Sequence, residues 1–251
     1  MSKFLFVGGS GHSGTTLLTA MLGFHSRIYS YRDETYVFRR DLSDDQIRIA
    51  LETISAQRDK QNVDYVCEKS PSHIRKCNDI FRLYPDAKFV AIVREPRDVV
   101  ASFKRRGVPV DRSIRNWLLA YRSLLRWQAQ GLPVCAVQFE SLIKNPTKTL
   151  HEICGYLGLS YESTMLDYWT DPRPWQKVSE IRRPETVTGN DHVIYRNWQI
   201  HQPLMTDRVG TYHSDLSYPE LCLIHEKLAS VSSKFGYRLS EPAESTVSLG
   251  L

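Results

Sequence analysis

Phe6-Val7-Gly8-Gly9-Ser10-Gly11-His12-Ser13-Gly14-Thr15-Thr16-Leu17-Leu18 is the stretch whose reading decides the fold. The apolar run from Phe4 to Val7 reads as a buried strand and the segment from Gly8 to Gly14 as a glycine-rich turn. Thr15 to Phe24, with Leu17, Leu18, Met21 and Leu22, reads as a helix. Glycine permits positive φ and lets an anion approach the amides. A helix start adds unpaired N–H groups and a favourable dipole. Gly11, His12, Ser13, Gly14, Thr15 and Thr16 are therefore the expected phosphate-binding residues. The spacing approaches Gly-x-x-x-x-Gly-Lys-[Ser/Thr]: Gly9, Gly14 and Thr16 fit, and Thr15 stands where lysine belongs. That lysine reaches the β- and γ-phosphates of a nucleoside triphosphate. Its replacement argues against ATP or GTP hydrolysis.

Outward from this stretch, strands and helices alternate. Helical periodicity covers Leu42 to Arg58, Asn78 to Leu83, Ser113 to Gln130, Thr147 to Leu157 and Pro219 to Phe235. Asp64 to Cys67, Lys88 to Val93 and Pro133 to Phe139 read as further strands, and a helix opens at Pro96. Alternation of this kind predicts an α/β fold: a central parallel sheet of four or five strands flanked by helices, like that of the phosphate-loop nucleotide kinases. Residues 1–240 form a single domain on this reading. The proline- and tryptophan-rich stretch 170–215 is expected as an irregular, substrate-facing insertion, and 241–251 as a fraying tail.

Composition narrows the function classes. The chain has 251 residues, 41% of them apolar, which suffices for one buried core. Lys plus Arg number 33 against 28 Asp plus Glu, a net charge of +5. This is too mild and too dispersed for a nucleic-acid binder but suits an enzyme with a polyanionic substrate. The one tight basic cluster, Lys104-Arg105-Arg106, reads as a solvated helix face. Five cysteines without a Cys-x-x-Cys pair give neither a disulfide framework nor a zinc site. The opening apolar run is too short for a secretory leader, and no segment approaches the ~18 apolar residues of a membrane span. A soluble cytoplasmic protein is expected.

A second anion site lies in Val93-Arg94-Glu95-Pro96-Arg97-Asp98-Val99-Val100-Ala101-Ser102. Arg94 ends a strand at the sheet edge where open α/β folds bind ligands, and a guanidinium fork with the Ser102 hydroxyl suits a phosphate. Together the two segments resemble the sulfotransferases that use 3′-phosphoadenosine 5′-phosphosulfate (PAPS). The resemblance casts Gly8–Leu18 as the 5′-phosphosulfate loop and Arg94 and Ser102 as holders of the 3′-phosphate. Gln138-Phe139-Glu140-Ser141-Leu142 through Asn145-Pro146, then Tyr156-Leu157-Gly158-Leu159, follows the family's order, with Phe139 in place of a tyrosine. Asp207 to Tyr212 resembles a degenerate form of its C-terminal Gly-Arg-Trp segment.

The same resemblance supplies the candidate catalytic residues. Glu34, in Asp33-Glu34-Thr35-Tyr36, matches the family's general base, with Asp33 as the fallback and His25 and His73 as lesser alternatives. Lys69, in Glu68-Lys69-Ser70-Pro71, matches a lysine near the donor sulfate. His12 stands where the family carries Lys or Arg, and a protonated His12 would stabilise the leaving oxygen. The implied reaction is metal-free transfer of a sulfuryl group from PAPS to an acceptor hydroxyl of a sugar, phenol or other small molecule. Two rivals remain at this stage. A small-metabolite kinase is disfavoured by Thr15. A nucleotide-binding module without turnover is favoured by His12.

Overall fold

The computed structural model describes residues 3–39, 41–58, 62–175, 178, 180–189 and 191–240. Five parallel strands lie in the order β2-β3-β1-β4-β5: β1 (Lys3–Gly9), β2 (Ile28–Ser30), β3 (Tyr65–Lys69), β4 (Lys88–Val93) and β5 (Val134–Gln138). Side chains of a strand alternate between faces, and a sheet covered on both sides needs apolar residues on each. Phe6, Phe89, Ala91 and Val93 enter one core, with Trp117, Tyr121 and Leu124 of α5 (Val110–Ala129) and Ile224 and Leu228 of α9 (Tyr218–Ser232). Leu5, Val7, Val90 and Ile92 enter the other. There they meet Leu18, Met21 and Leu22 of α1 (Thr15–Gly23) and Leu150 and Ile153 of α7 (Pro146–Leu157).

The expected α/β fold with a parallel central sheet is the one found. Leu42 to Arg58 becomes α2 (Asp44–Ala56), closed at its start by a capping box between Ser43 and Gln46. Asn78 to Leu83 becomes α3 (Cys77–Leu83). The helix opening at Pro96 is α4 (Pro96–Lys104), and Glu95 caps it by accepting from the Asp98 amide. The strand expected through Phe139 stops at Gln138, and α6 (Phe139–Lys144) starts there. The stretch 170–215 corrects the reading of an irregular insertion. It contains α8 (Asp191–Ile200) and single-turn helices at Thr206–Arg208 and Thr211–Ser214. The expected tail at 241–251 lies outside the described residues.

β1 sits between β3 and β4, so the chain leaves it toward one edge through α1 and β2 and later crosses to the other. This switch in direction opens a crevice at the carboxyl ends of β1 and β4. Both anion segments end there.

Candidate active site

The glycine turn is fixed by close approach. A Cβ on Gly9 would stand 2.6 Å from the Ile92 carbonyl oxygen, and one on Gly14 would stand 2.5 Å from the Phe139 ring. Gly14 also has φ of +96° and precedes α1 without any side-chain cap. The first amides of α1 are thus left for an external acceptor. Tyr121 holds the base of the turn: its hydroxyl donates to the Ile92 carbonyl (3.0 Å) and accepts from the Ser10 amide (3.3 Å). Ser13 Oγ donates to the Ser10 carbonyl (2.6 Å).

Arg94 and Ser102 converge on this turn, as their segment implied. The Arg94 guanidinium carbon sits over Phe139, 4.4 Å from the ring centre, and the group donates to the carbonyls of His12 (3.1 Å) and Arg208. Its buried Nε has no hydrogen-bond partner among the described residues. Trp117 secures the Arg94 carbonyl through its indole N–H (3.0 Å). The late segment around Arg208 is tied to the same helix. Asp98 of α4, fully buried, accepts from the amides of Gly210 (2.8 Å) and Tyr212 (3.0 Å) and from the Thr211 hydroxyl (3.2 Å).

His12 departs from the protonated role read in the sequence. Its Nε2 lies 2.8 Å from Arg106 Nη1 and its Nδ1 lies 2.7 Å from Ser102 Oγ. A guanidinium only donates, so Nε2 accepts, and the ring hydrogen sits on Nδ1 and is donated to Ser102. The Ser102 hydroxyl hydrogen is then left to point elsewhere. Burial first, then His192 and the guanidiniums of Arg106, Arg196 and Arg94, hold the His12 pKa well below the usual imidazole value. The positive charge beside the loop belongs to arginines. Of the basic cluster read as a solvated face, Lys104 pairs with Glu220 and Arg105 with Asp215, whereas Arg106 turns into the site with its Nε buried.

Glu34 and Lys69 are brought together. Lys69, fully buried at the end of β3, donates to Glu34 Oε1, and burial lowers its pKa while Glu34 opposes that shift. Its ammonium serves Glu34 directly, not an open space beside the loop. Arg196 of α8 also donates to Glu34 Oε1 (3.1 Å) and to His192 Nε2 (2.9 Å). His192 in turn lies 5.3 Å, ring centre to ring centre, from His12. Asp33, the fallback base, accepts from the Glu34 amide within its own turn (2.9 Å). His25 bonds the Ser160 carbonyl (2.8 Å) and His73 the buried Glu68 (2.9 Å), so both are structural.

A cavity of about 490 Å³ is lined by His12, Gly14 to Leu17, Arg94, Ser102, Arg106, His192, Arg196 and Arg208, among others, and Glu34 reaches it through Arg196. That volume falls within the range of small-molecule sites. Among the described residues, no three His, Cys, Asp or Glu side chains gather as metal ligands, and no helix is long and apolar enough to cross a membrane.

Comparison with known proteins now decides the family. A profile described as the sulfotransferase family matches residues 35–163, just over half of the chain. The chain belongs to the sulfotransferase family. The matched stretch holds Lys69, Arg94, Ser102 and Arg106. The glycine turn and Glu34 precede it, and α8 follows it. Protein-tyrosine sulfotransferase 2 of Gallus gallus is 25% identical over 200 residues, covering 65% of this chain and 53% of that protein. A putative protein-tyrosine sulfotransferase of Caenorhabditis briggsae is 26% identical over 195 residues, covering 66% and 69%. The chain thus spans about half the length of the chicken relative. Among solved structures, the sulfotransferase domain from the curacin biosynthetic pathway superposes with a TM-score of 0.68 at 16% identity, covering 96% of this chain and 99% of that one. The corresponding domain of the Synechococcus PCC 7002 olefin synthase gives 0.69 at 18%, covering 96% of each. Mouse SULT7A1 complexed with PAP gives 0.54 at 14%, covering 94% and 89%. These sulfotransferases share the fold.

Proposed function

We propose that this sulfotransferase moves a sulfuryl group from PAPS to an acceptor hydroxyl. The observation that carries the reading is the convergence of two anion holders, the uncapped start of α1 and the Arg94–Ser102 pair, on one cavity rimmed by Arg106, Arg196 and Arg208. The residues fit the donor. Uncapped amides suit its 5′-phosphate end. The unpartnered Nε of Arg94 and the free hydroxyl hydrogen of Ser102 suit its 3′-phosphate. PAPS supplies an activated sulfuryl group. The chain supplies Glu34 to take the acceptor's proton, and Arg106 and Arg208 to face the charge that develops as the donor's sulfur–oxygen bond breaks. The names of the chicken and worm relatives support a phenolic acceptor, a tyrosyl hydroxyl among them. The free cysteines, three of them buried, support a reducing compartment such as the cytoplasm.

Adenosine 3′,5′-bisphosphate (PAP) is expected to raise the melting temperature far more than ATP with magnesium does. At ~100 times its dissociation constant it adds ~2.7 kcal/mol. Equal or greater stabilisation by ATP with magnesium in a thermal-shift assay refutes the donor assignment. Arg94→Ala is expected to weaken PAP binding by about 1.5–3 kcal/mol, the range for hydrogen bonds to charged groups. It should also erase the preference for PAP over adenosine 5′-phosphate. Calorimetry showing that preference intact would place the 3′-phosphate elsewhere. The neutral His12 favours one second reading, a nucleotide-binding module without turnover. That reading predicts PAP binding with no sulfuryl transfer to any phenol.

A further inference from the structure

Glu34 meets its cations on one oxygen only. Oε1 accepts from both Lys69 Nζ and Arg196 Nη1, while Oε2 has no hydrogen-bond partner among the described residues. The two donors come from unrelated parts of the fold. Lys69 ends strand β3, next to the central β1, and is fully buried. Arg196 is carried by α8, 162 residues after Glu34 in the sequence. Its second nitrogen, Nη2, donates to His192 Nε2 one turn earlier on the same helix (2.9 Å). That bond requires an unprotonated Nε2. Burial and the guanidiniums of Arg196 and Arg106 hold the His192 pKa down to about 3, so the ring stays an acceptor near neutrality. A guanidinium donates in a rigid planar fork. Held by His192 on one nitrogen and by Glu34 on another, Arg196 fixes the rotation of the carboxylate and leaves Oε2 as the oxygen able to take a proton.

We propose that Arg196, oriented by His192, is a positioning residue for Glu34. Helix α8 is then part of the machinery that sets up proton transfer, and not merely a cover over the cavity. The inference rests on the reading of Glu34 as the base. The charged and titratable groups facing Glu34 are Lys69 and Glu68 from β3, Arg196 and His192 from α8, Arg106 beyond α4, and Asp33 on its own segment. Glu68 is engaged by Thr35, Ser70 and His73. Removing Arg196 takes away a cation bonded to the carboxylate. Without the fork the carboxylate is free to turn, and Oε2 no longer keeps a fixed direction.

The test uses Arg196→Gln and Arg196→Lys, with Glu34→Gln as a control. PAP affinity is measured by calorimetry, and kcat and KM are measured with PAPS and tyrosine amide. Arg196→Gln is expected to bind PAP nearly as the parent does, while kcat falls ~10²-fold through misplacement of the base. Arg196→Lys, which keeps the charge and a donor to Glu34 and loses the fork, should recover part of kcat. An undiminished kcat in Arg196→Gln overturns the proposal. So does a loss of PAP affinity that accounts for the whole fall in turnover, since Arg196 then serves the donor. Normal turnover by Glu34→Gln refutes the base reading itself, whereas slow Glu34→Gln beside normal Arg196→Gln refutes only the positioning role. If Arg196→Gln fails to fold, His192→Phe removes the acceptor that orients the fork with Arg196 present. Its kcat should fall with PAP affinity intact, and a kcat equal to the parent's overturns the proposal.

Discussion

Glu34→Gln is expected to lower sulfuryl transfer by ~10²–10⁴-fold, the range for loss of general acid–base catalysis, with PAP affinity nearly unchanged. The amide oxygen of glutamine can still accept from Lys69 and Arg196, so the local packing and both cations keep a partner. What is lost is a group able to accept a proton. The Arg94–Ser102 site belongs to β4 and α4 and does not touch Glu34, which separates binding from turnover in the assay. An alkyl hydroxyl should suffer more than an acidic phenol, because the phenol needs less help to ionise. Asp33→Asn should be mild, since Asp33 only caps the Glu34 amide. The decisive measurement is single-turnover transfer to a phenol and to an alcohol at saturating PAPS. Undiminished rates for both acceptors would remove Glu34 from the mechanism. His12 could not readily replace it, because its Nε2 is already committed to Arg106.

The donor half of this site is legible in the sequence and the acceptor half is not, and the reason lies in how each is encoded. The donor half sits on contiguous strand–turn–helix segments. There the glycines answer to close contacts with Ile92 and Phe139, and Arg94 projects from the end of an apolar strand. Local pattern and tertiary placement coincide there, and the residues read forward meet at one cavity. Strand β2 has only three residues, too few to show alternation. Helix α8 escapes for a different reason. Its buried residues are His192, Asn197 and Ile200, so two of three inward positions are polar and no apolar period exists. Asn197 is buried because its amide pairs with both backbone groups of Trp175, a long-range bond that no window of sequence reveals. Arg106 is misread by the same logic. Its neighbours Lys104 and Arg105 do reach surface carboxylates, and only the tertiary turn toward His12 sets it apart. The turn sets His12 beside Ser102 and Arg106, and its charge is governed by burial first and then by a histidine and three arginines from other segments.

Next to Glu34 and Lys69 lies a buried carboxylate whose loss should have the largest effect on folding. Glu68 is fully buried on β3. Its Oε1 accepts from the Ser70 hydroxyl (2.7 Å), the Thr35 hydroxyl (2.8 Å) and the Thr35 amide (3.2 Å), and its Oε2 meets His73 Nδ1 (2.9 Å). Thr35 and Ser70 are the residues following Glu34 and Lys69, so this carboxylate joins the two segments. Burial works to raise its pKa, but His73, Ser70 and Thr35 together hold it below the usual carboxylate value. Glu68→Ala strands these donors in the interior. Breaking such a buried pair costs about 3–5 kcal/mol, which corresponds to a fall in melting temperature on the order of 10 °C for a chain of this size. The pH dependence follows from the depressed folded value. The stabilisation is fully present above the ordinary unfolded value of ~4.3 and is lost as pH falls through the lower folded one. Glu68→Gln, which keeps the shape and cannot titrate, should be less stable than the parent at neutral pH, and that deficit should shrink toward pH 3. Thermal melts of the parent, Glu68→Gln and Glu68→Ala between pH 3 and pH 7 would show both effects. A Glu68→Ala protein melting within a degree or two of the parent, or a Glu68→Gln deficit constant across that range, would mean that the carboxylate does not hold the Glu34 and Lys69 segments together.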